Sequence, residues 1–425
     1  MRFFKRCLRI LGPGVITGAA DDDPSGIATY SQAGAQFGYG QLWTVIFMLP
    51  LQTAIQEACS RIGAVKGKGI SAVIKEHYNK KILYSIVFLV LIANIINIGA
   101  DIGAMAEAAH LIIPVNIVIL TLMFTAISLM LEIFISYKKY VKFLKWLCLF
   151  LLAYPITVLM IKESWWELLK ATFIPNIEFS FQFMFIITGV LGTTISPYLF
   201  FWQASEEVEE ERKRHLIRKD GIPHISKKFI NELRIDNFIG MFFSEIVAWS
   251  IIVVSATVLH SHGITDIKSA ADAAKSLEPL VHTFPHSGYA AKVIFSIGII
   301  GLGLLAVPIL AGSAAYALSE AFSWRGGLYL KFKRAHGFYG IITIATLIGL
   351  SLNFIGIDPM KALIYAAVIN GVVAVPLIFI VGSIAKNESI MGIYKSGLLS
   401  NILILITFIS MAIAATAMFF TFIKI

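Results

Sequence analysis

The sequence predicts an all-α protein that crosses a membrane many times and is built from two repeats of opposite orientation. Three observations support this fold class: an apolar composition, eleven apolar segments, and two interrupted segments that resemble each other. Of the 425 residues, 57% are hydrophobic and 14% are charged, and the mean hydropathy is +0.79. A soluble domain is about one quarter charged. A soluble fold of this length would therefore need far more polar surface.

The apolar segments are long enough to cross a bilayer, which takes roughly 18 or more apolar residues as a helix. We number them as spans 1 to 11 in chain order. Their boundaries carry an error of a few residues. The spans cover about 10–37, 43–62, 82–109, 113–135, 141–161, 181–203, 237–259, 288–320, 338–356, 361–384 and 398–423.

The basic residues indicate the orientation. If the N-terminus is cytoplasmic and the connections alternate, 28 of the 35 Lys and Arg residues lie on the cytoplasmic side, as the positive-inside rule requires. We therefore predict a multi-pass protein of the cell membrane with its C-terminus outside. The net charge of +9 lies in short clusters and forms no basic face, so no nucleic-acid partner is expected. The lipid bilayer is the expected partner, and no obligatory protein partner is evident.

Two connections contain predicted helices. The connection after span 6 begins with acids placed four residues before bases, as in Glu209 and Lys213, which favours a solvated helix that extends the span. The stretch 268–282 contains Asp272, Lys275 and Glu278, and it predicts a short amphipathic helix on the outer surface.

Spans 1 and 6 share a sequence pattern. At an offset of 171 residues, an Ile-Thr-Gly triplet beginning at Ile16 matches one beginning at Ile187, and a later Gln-Ala pair also matches. Five spans separate the starts of the two segments, so the second copy enters the membrane from the opposite side. This pattern is typical of transporters with inverted repeats. We predict a single domain over 1–425, with repeats at about 10–161 and 181–384 and an extra helix at 398–423.

Each of these two segments is interrupted by a proline, Pro24 in span 1 and Pro197 in span 6. Proline removes a backbone donor and clashes with the preceding turn, so it breaks a helix. Asp23 lies at the first break, and an ionisable group inside a membrane is costly unless it has a partner such as a cation. Alternatively, Asp21–Asp23 lie at the membrane edge and cap a helix that begins at Ser25. That alternative leaves residues 10–20 too short to span the membrane.

The first span resembles that of a known family. Gly12-Pro13-Gly14, Asp23-Pro24-Ser25-Gly26 and Gly38-Tyr39-Gly40-Gln41-Leu42-Trp43 resemble the motifs of the NRAMP family of divalent metal transporters. The resemblance implies the LeuT-like fold, with five spans repeated in inverted orientation and broken helices 1 and 6. It also implies that a divalent metal ion is the substrate and that no cofactor is bound.

The resemblance implies which residues form the site, and this sequence differs from the family motif at several of them. Asp23 matches a metal-binding Asp, whereas Gly26 stands where the family has a metal-binding Asn. Ser196-Pro197-Tyr198 replaces Met-Pro-His, and Thr193 matches the residue whose carbonyl binds metal. In span 3, Asp101 matches a family acid on the proton path. These departures resemble the NRAMP-related branch associated with magnesium.

The chemistry of the departures favours a hard cation. A Met sulfur favours transition metals, and its replacement by Ser196 leaves an all-oxygen site. Small side chains also leave room for the waters that Mg²⁺ keeps. Met105 and Cys59 are the alternative soft ligands. The predicted metal ligands are Asp23, Thr193 and Ser196, with Gly26 contributing through its backbone or a water. Asp22 is predicted to lie next to these ligands without binding the metal directly.

Other polar residues are predicted to lie around this site. Asp101 and Glu107 are candidates for a coupling or proton path, and Asp101 is equally compatible with a structural hydrogen bond. Glu107 lies about 120° round the helix from Asp101, so it is not an obvious substitute for the missing family acid at Ala104. Gln203 and Asn370 are expected to form hydrogen bonds between helices. Asp21 is expected to be solvated.

These observations predict a secondary transporter that carries Mg²⁺ and/or Mn²⁺ by alternating access. We expect weak or absent proton coupling, because Tyr198 replaces the family His and Ala104 replaces an acid. The alternatives are a proton-coupled Mn²⁺/Fe²⁺ symporter, a carrier of organic cations or amino acids on the same scaffold, and a passive channel. An enzyme is not expected, because no metalloprotease motif, nucleophile elbow or phosphate-binding loop is present.

Overall fold

The structure, a computed structural model, describes residues 13–135, 148–217, 223–283 and 286–423. Within these ranges the chain forms α-helices, short 3₁₀ helices and no β-strand. The α-helices are α1 Pro13–Asp21, α2 Pro24–Phe37, α3 Trp43–Lys66, α4 Ile70–His77, α5 Lys80–His110, α6 Ile117–Phe134, α7 Ala153–Met160, α8 Trp165–Phe173, α9 Phe181–Thr194, α10 Pro197–Lys213, α11 Lys227–Val258, α12 Ala270–Lys275, α13 Ser287–Ala321, α14 His336–Leu352, α15 Pro359–Lys386, α16 Glu388–Met391 and α17 Leu398–Ile423.

Every predicted span coincides with helical structure. Span 1 is formed by α1 and α2, span 6 by α9 and α10, and the start of span 5, at 141–147, lies outside the described residues. Two apolar helices, Leu149–Met160 and His336–Leu352, are shorter than a full span. Seven helical segments of the described chain are long and apolar enough to cross a membrane: Lys80–His110, Ile117–Phe134, Phe181–Lys213, Lys227–His262, Ser287–Ala321, Pro359–Lys386 and Leu398–Ile423.

Both predicted connecting helices are present. α10 continues to Lys213, so span 6 does extend past its apolar part. The expectation that this extension is solvated is wrong for Glu206, Glu207 and Glu211, which are buried. The stretch after span 7 forms α12, whose N-terminus is capped because the Ser269 side chain accepts a hydrogen bond from the backbone N–H of Asp272. A Ser at this position satisfies one of the free N–H groups at a helix start.

The two breaks have the same local construction. Asp23 and Ser196 are the N-cap residues of α2 and α10, with extended backbones at φ −66°, ψ 174° and φ −76°, ψ 126°. The next residue in each case is proline, at the first helical position. There the missing N–H has no helical acceptor and the fixed φ favours the helix. Both interruptions therefore start a new half-helix. The boundaries of the repeats stay a prediction, which these matching breaks support.

Glycines hold the broken spans tightly against their neighbours. A Cβ at Gly18 of α1 would lie 2.3 Å from the carbonyl oxygen of Gly240 in α11. A Cβ at Gly192 of α9 would lie 2.2 Å from the carbonyl oxygen of Ala367 in α15. Small residues allow such close approach between membrane helices. These contacts fix both breaks relative to spans 7 and 10.

Candidate metal site

Asp23 is the centre of the candidate site. Its side chain is 1% exposed. One carboxylate oxygen, Oδ1, accepts hydrogen bonds from the Ser25 hydroxyl at 2.5 Å and the Gly26 N–H at 2.9 Å. The other, Oδ2, accepts from the Asn97 amide at 3.0 Å and the Tyr198 hydroxyl at 3.3 Å. Asp23 thus caps α2, as the membrane-edge alternative proposed, but it does so while buried inside the protein.

Gly26 and Thr193 bring the two breaks together. A Cβ on Gly26 would lie 3.1 Å from the Thr193 hydroxyl oxygen. That hydroxyl oxygen is buried and has no hydrogen-bonding partner in the described part of the chain. Gly26 therefore provides space, because any larger side chain would press on Thr193. The unpartnered oxygen of Thr193 is available to a ligand held between the two half-helices.

Ser196 faces the end of α9. Its hydroxyl donates to the carbonyl oxygens of Gly192 at 3.1 Å and Thr193 at 2.7 Å. Both carbonyls belong to the last turn of α9, where carbonyl groups lack helical partners. The Thr193 carbonyl, expected to bind metal, already accepts this one hydrogen bond and keeps a second lone pair. The convergence of Ser196 with Asp23 stays a prediction.

Asp21 is buried, so the expectation that it is solvated is wrong. Its side chain is 0% exposed. Oδ2 accepts hydrogen bonds from the Gln52 amide and, at 2.7 Å, from the Ser244 hydroxyl. The Ser244 hydroxyl also lies 3.4 Å from Oδ1 of Asp22. Since α1 packs directly against α11, the last turn of α1 is enclosed by protein.

Glu245 of α11 joins this acidic group and was missed from the sequence. It is 5% exposed, and it interacts electrostatically with Asp21 and Asp22. Neither of its carboxylate oxygens has a hydrogen-bonding partner among the described residues. The signal was present, because an acid inside an apolar span is by default a functional candidate. Glu245 stands near the middle of predicted span 7.

The two acids of span 3 have different surroundings. The Asn97 amide that donates to Asp23 also lies 3.4 Å from Oδ2 of Asp101, which links Asp101 to the site. Glu107 instead accepts a hydrogen bond at 2.8 Å from the backbone N–H of Ala270, at the start of α12. Six residues along a helix are about 9 Å. Glu107 therefore makes a helix-capping contact, and its place on a coupling path stays a prediction.

The two buried amides also differ. Gln203 accepts a hydrogen bond from the Thr17 hydroxyl and so joins α10 to α1, as expected for an interhelical contact. Its amide nitrogen donates to Glu207 at 3.0 Å. Asn370 in α15 is 1% exposed, and neither atom of its amide has a partner within the described chain. The expected interhelical bond of Asn370 is therefore not found, and its amide is free for a ligand.

Asn97 and Tyr198 are the further site residues that the sequence did not assign. Tyr198 occupies the position of the family His, and its hydroxyl donates to the Ala20 carbonyl at 2.9 Å as well as to Asp23. Asn97 could have been found as a polar residue one helical turn before Asp101. Both residues orient the Asp23 carboxylate.

The donor set fits a hard cation carried as substrate. No group of three or more His, Cys, Asp or Glu side chains is placed to hold a metal ion within the described residues. Besides the Asp23 carboxylate, the oxygens at the two breaks are the hydroxyls of Ser196 and Thr193 and the carbonyls at the end of α9, and such oxygens suit hard cations. The alternative soft ligands are used elsewhere. Met105 packs tightly against Gly303, and Cys59 is a buried free thiol in an apolar core.

The fold and the paired breaks around a buried carboxylate define a multi-pass membrane transporter of the LeuT fold. The sequence model of the natural resistance-associated macrophage protein-like family, Nramp, matches residues 14–421. The chain belongs to this family. The divalent metal cation transporter MntH of Klebsiella pneumoniae (strain 342) is 27% identical over 369 residues, which are 85% of this chain and 82% of that relative.

Solved structures show the same fold. The Eremococcus coleocola manganese transporter, in complex with an aromatic bis-isothiourea substituted compound, superposes with a TM-score of 0.74 at 16% identity, covering 98% of this chain and 88% of that one. MhsT in complex with L-phenylalanine superposes with a TM-score of 0.60 at 12% identity, covering 96% and 97%. At these identities the likeness concerns the fold alone. The predicted family and fold class are confirmed.

Proposed function

We propose that the protein is a secondary transporter of divalent metal cations, Mg²⁺ and/or Mn²⁺, which works by alternating access. One observation carries the proposal: Asp23 is buried at the break of span 1, with its carboxylate oriented by four hydrogen-bond donors. A carboxylate buried in a membrane protein needs a compensating partner. A divalent cation supplies that partner, and family membership with a relative named as a divalent metal cation transporter supports it.

The oxygen ligands support Mg²⁺ as a substrate. The Thr193 hydroxyl has no hydrogen-bonding partner among the described residues, and the Ser196 hydroxyl replaces the sulfur that the family motif carries. Without a sulfur ligand, the site has no bias towards soft metals. Mn²⁺ also accepts oxygen ligands, so both ions are expected to bind. The small side chain of Gly26 leaves space for the waters that Mg²⁺ retains.

Contacts at one end of the helices support alternating access. The Tyr316 hydroxyl of α13 donates to Glu209 of α10 at 2.6 Å, and Arg212 donates to the Tyr329 hydroxyl at 2.8 Å. Glu320 accepts from the backbone N–H of Gly69 at 3.0 Å. These bonds tie α10 and the start of α4 to the end of α13. We assign this side to the cytoplasm and infer that an opening there requires these bonds to break.

The proton-coupled alternative has one observation in its favour. Asp101 is buried, is linked to Asp23 through Asn97, and keeps one oxygen that has no partner in the described part of the chain. It is therefore the first candidate for a proton carrier. Our proposal is weak or absent coupling, because Tyr198 does not titrate near neutral pH as a His does. The intravesicular pH during metal uptake tests this. An acidification equal to the metal flux would favour the symporter.

The test of the main proposal is uptake of Mg²⁺ and Mn²⁺ into proteoliposomes. Asp23→Ala should abolish uptake of both ions. Glu132→Gln is the control, because Glu132 in α6 is a buried carboxylate away from the breaks, with no hydrogen-bonding partner among the described residues. It should transport as the wild type does. Wild-type uptake by Asp23→Ala would overturn the proposed site, and uptake of an organic cation in place of metal would favour the other carrier.

A further inference from the structure

Three carboxylates lie where α1 ends against α11, and two of them, Asp21 and Asp22, directly precede Asp23 in the chain. Asp21, Asp22 and Glu245 are 0%, 1% and 5% exposed. The electrostatic interactions of Glu245 are with the other two acids. None of the three forms an ion pair with Lys, Arg or His in the described ranges. Three adjacent buried acids without a basic partner must either hold protons or be compensated by a cation.

The hydrogen bonds of this group are also incomplete. The Gln52 amide nitrogen donates to Oδ2 of Asp21, which leaves the Gln52 oxygen buried and unpartnered. Oδ1 of Asp21 and both oxygens of Glu245 likewise have no donor among the described residues. Buried polar atoms of native proteins are nearly always satisfied. The unpartnered Gln52 oxygen supports a bound cation independently of the three acids, because an amide oxygen does not take up a proton as a carboxylate does.

We propose that Asp21, Glu245 and Gln52, with Asp22 beside them, form a second cation subsite that takes a divalent cation with part of its water shell. The proposal rests on the proposed function, because the same class of ion occupies both positions. The ligands are all oxygens, as hard cations prefer. They are not gathered into a compact group of three or more metal-holding side chains. The cation therefore keeps several waters, as Mg²⁺ usually does.

The position of the subsite suggests its role. Asp22 interacts electrostatically with both Asp21 and Asp23, so a cation at the subsite lies within the electrostatic reach of the transport site. Tyr30 interacts with Asp21, Asp22 and Glu245, and its hydroxyl is 2.8 Å from the Thr194 hydroxyl at the end of α9. The subsite therefore lies between the break of span 1, the break of span 6 and α11. The subsite binds an ion before the ion reaches Asp23 or after it leaves Asp23.

The test is the number of Mn²⁺ ions bound per protein, measured by equilibrium dialysis of the full chain in lipid nanodiscs. The wild type should bind two ions. Glu245→Gln and Asp23→Ala should each bind one, and the double variant should bind none. Glu132→Gln, the matched buried acid of α6, should keep both. Gln52→Leu changes no charge and should weaken the binding of one ion at least tenfold. This variant tests the subsite even if Glu245→Gln does not fold.

Each outcome decides between the proposals. A wild type that binds one ion, with no change in Glu245→Gln, would overturn the subsite and show that its carboxylates hold protons, while the proposed function would stand. If Asp23→Ala keeps both ions and Glu245→Gln loses one, the subsite stands and the proposed transport site fails. A loss of one ion in Glu132→Gln would also overturn the subsite, because any buried acid would then have the same effect.

Discussion

Replacement of Asn97 by alanine tests how far the metal site depends on the orientation of Asp23. Asn97 donates to Oδ2 of Asp23 at 3.0 Å and lies 3.4 Å from Asp101. Only the first distance is that of a well-formed hydrogen bond. In Asn97→Ala, the carboxylate keeps the weaker 3.3 Å contact from Tyr198 on this oxygen. We expect the carboxylate to lose its fixed orientation.

The magnitude follows from the kind of bond that is lost. A hydrogen bond to a charged group contributes about 1.5–3 kcal/mol, and about 1.4 kcal/mol corresponds to a tenfold change in affinity. Residues that orient a metal ligand typically change metal affinity by about 10–100-fold. We therefore expect the Kd for Mn²⁺ at the Asp23 site to rise about 10–100-fold in Asn97→Ala. The KM for uptake should rise in parallel.

Asn94→Ala is the matched control on the same helix. Asn94 is also 0% exposed, and its amide donates to the Leu310 carbonyl at 2.9 Å in place of a carboxylate. Both variants lose one buried amide contact from α5, so their unfolding temperatures should fall by similar amounts. Only Asn97→Ala should weaken Mn²⁺ binding in equilibrium dialysis. Equal effects of the two variants on Mn²⁺ affinity would refute the role assigned to Asn97.

The spans and their breaks could be predicted because the bilayer imposes strict physical requirements. A spanning helix must be long and apolar, and a proline within it must interrupt its hydrogen bonds. Those requirements act on neighbouring residues in the sequence. Pro24, Pro197 and the buried acid Asp23 were therefore visible without any tertiary information. Most described helices begin and end within a few residues of the predicted spans, but α11 begins at Lys227, well before the predicted start of span 7.

The surroundings of Asp23 could not be predicted in the same way. Asn97 is 74 residues from Asp23, and Ser244 is 223 residues from Asp21. These contacts depend on how each span is rotated towards its neighbours. A helix that is apolar on nearly all sides gives little information on that rotation, because lipid and protein neighbours are both apolar. This is why Asp21 was expected to be solvated.

The remaining predictions concern packing, coupling and selectivity. Gly192→Ala should unfold at a clearly lower temperature than Gly340→Ala in a thermal melt. A Cβ at Gly192 would meet the Ala367 carbonyl, whereas no atom of the described residues lies within 4 Å of a Cβ at Gly340. Asp101→Asn should leave the pH change during uptake as small as it is in the wild type. If the wild type instead shows a large acidification that Asp101→Asn abolishes, Asp101 carries the proton. Ser196→Met should raise the affinities for Cd²⁺ and Mn²⁺ relative to Mg²⁺, because a thioether is a soft ligand. Competition by each ion for Mn²⁺ uptake measures this shift. A wild type that already prefers Cd²⁺ and excludes Mg²⁺ would show that the all-oxygen assignment is wrong, since a soft ligand would then have to reach the site.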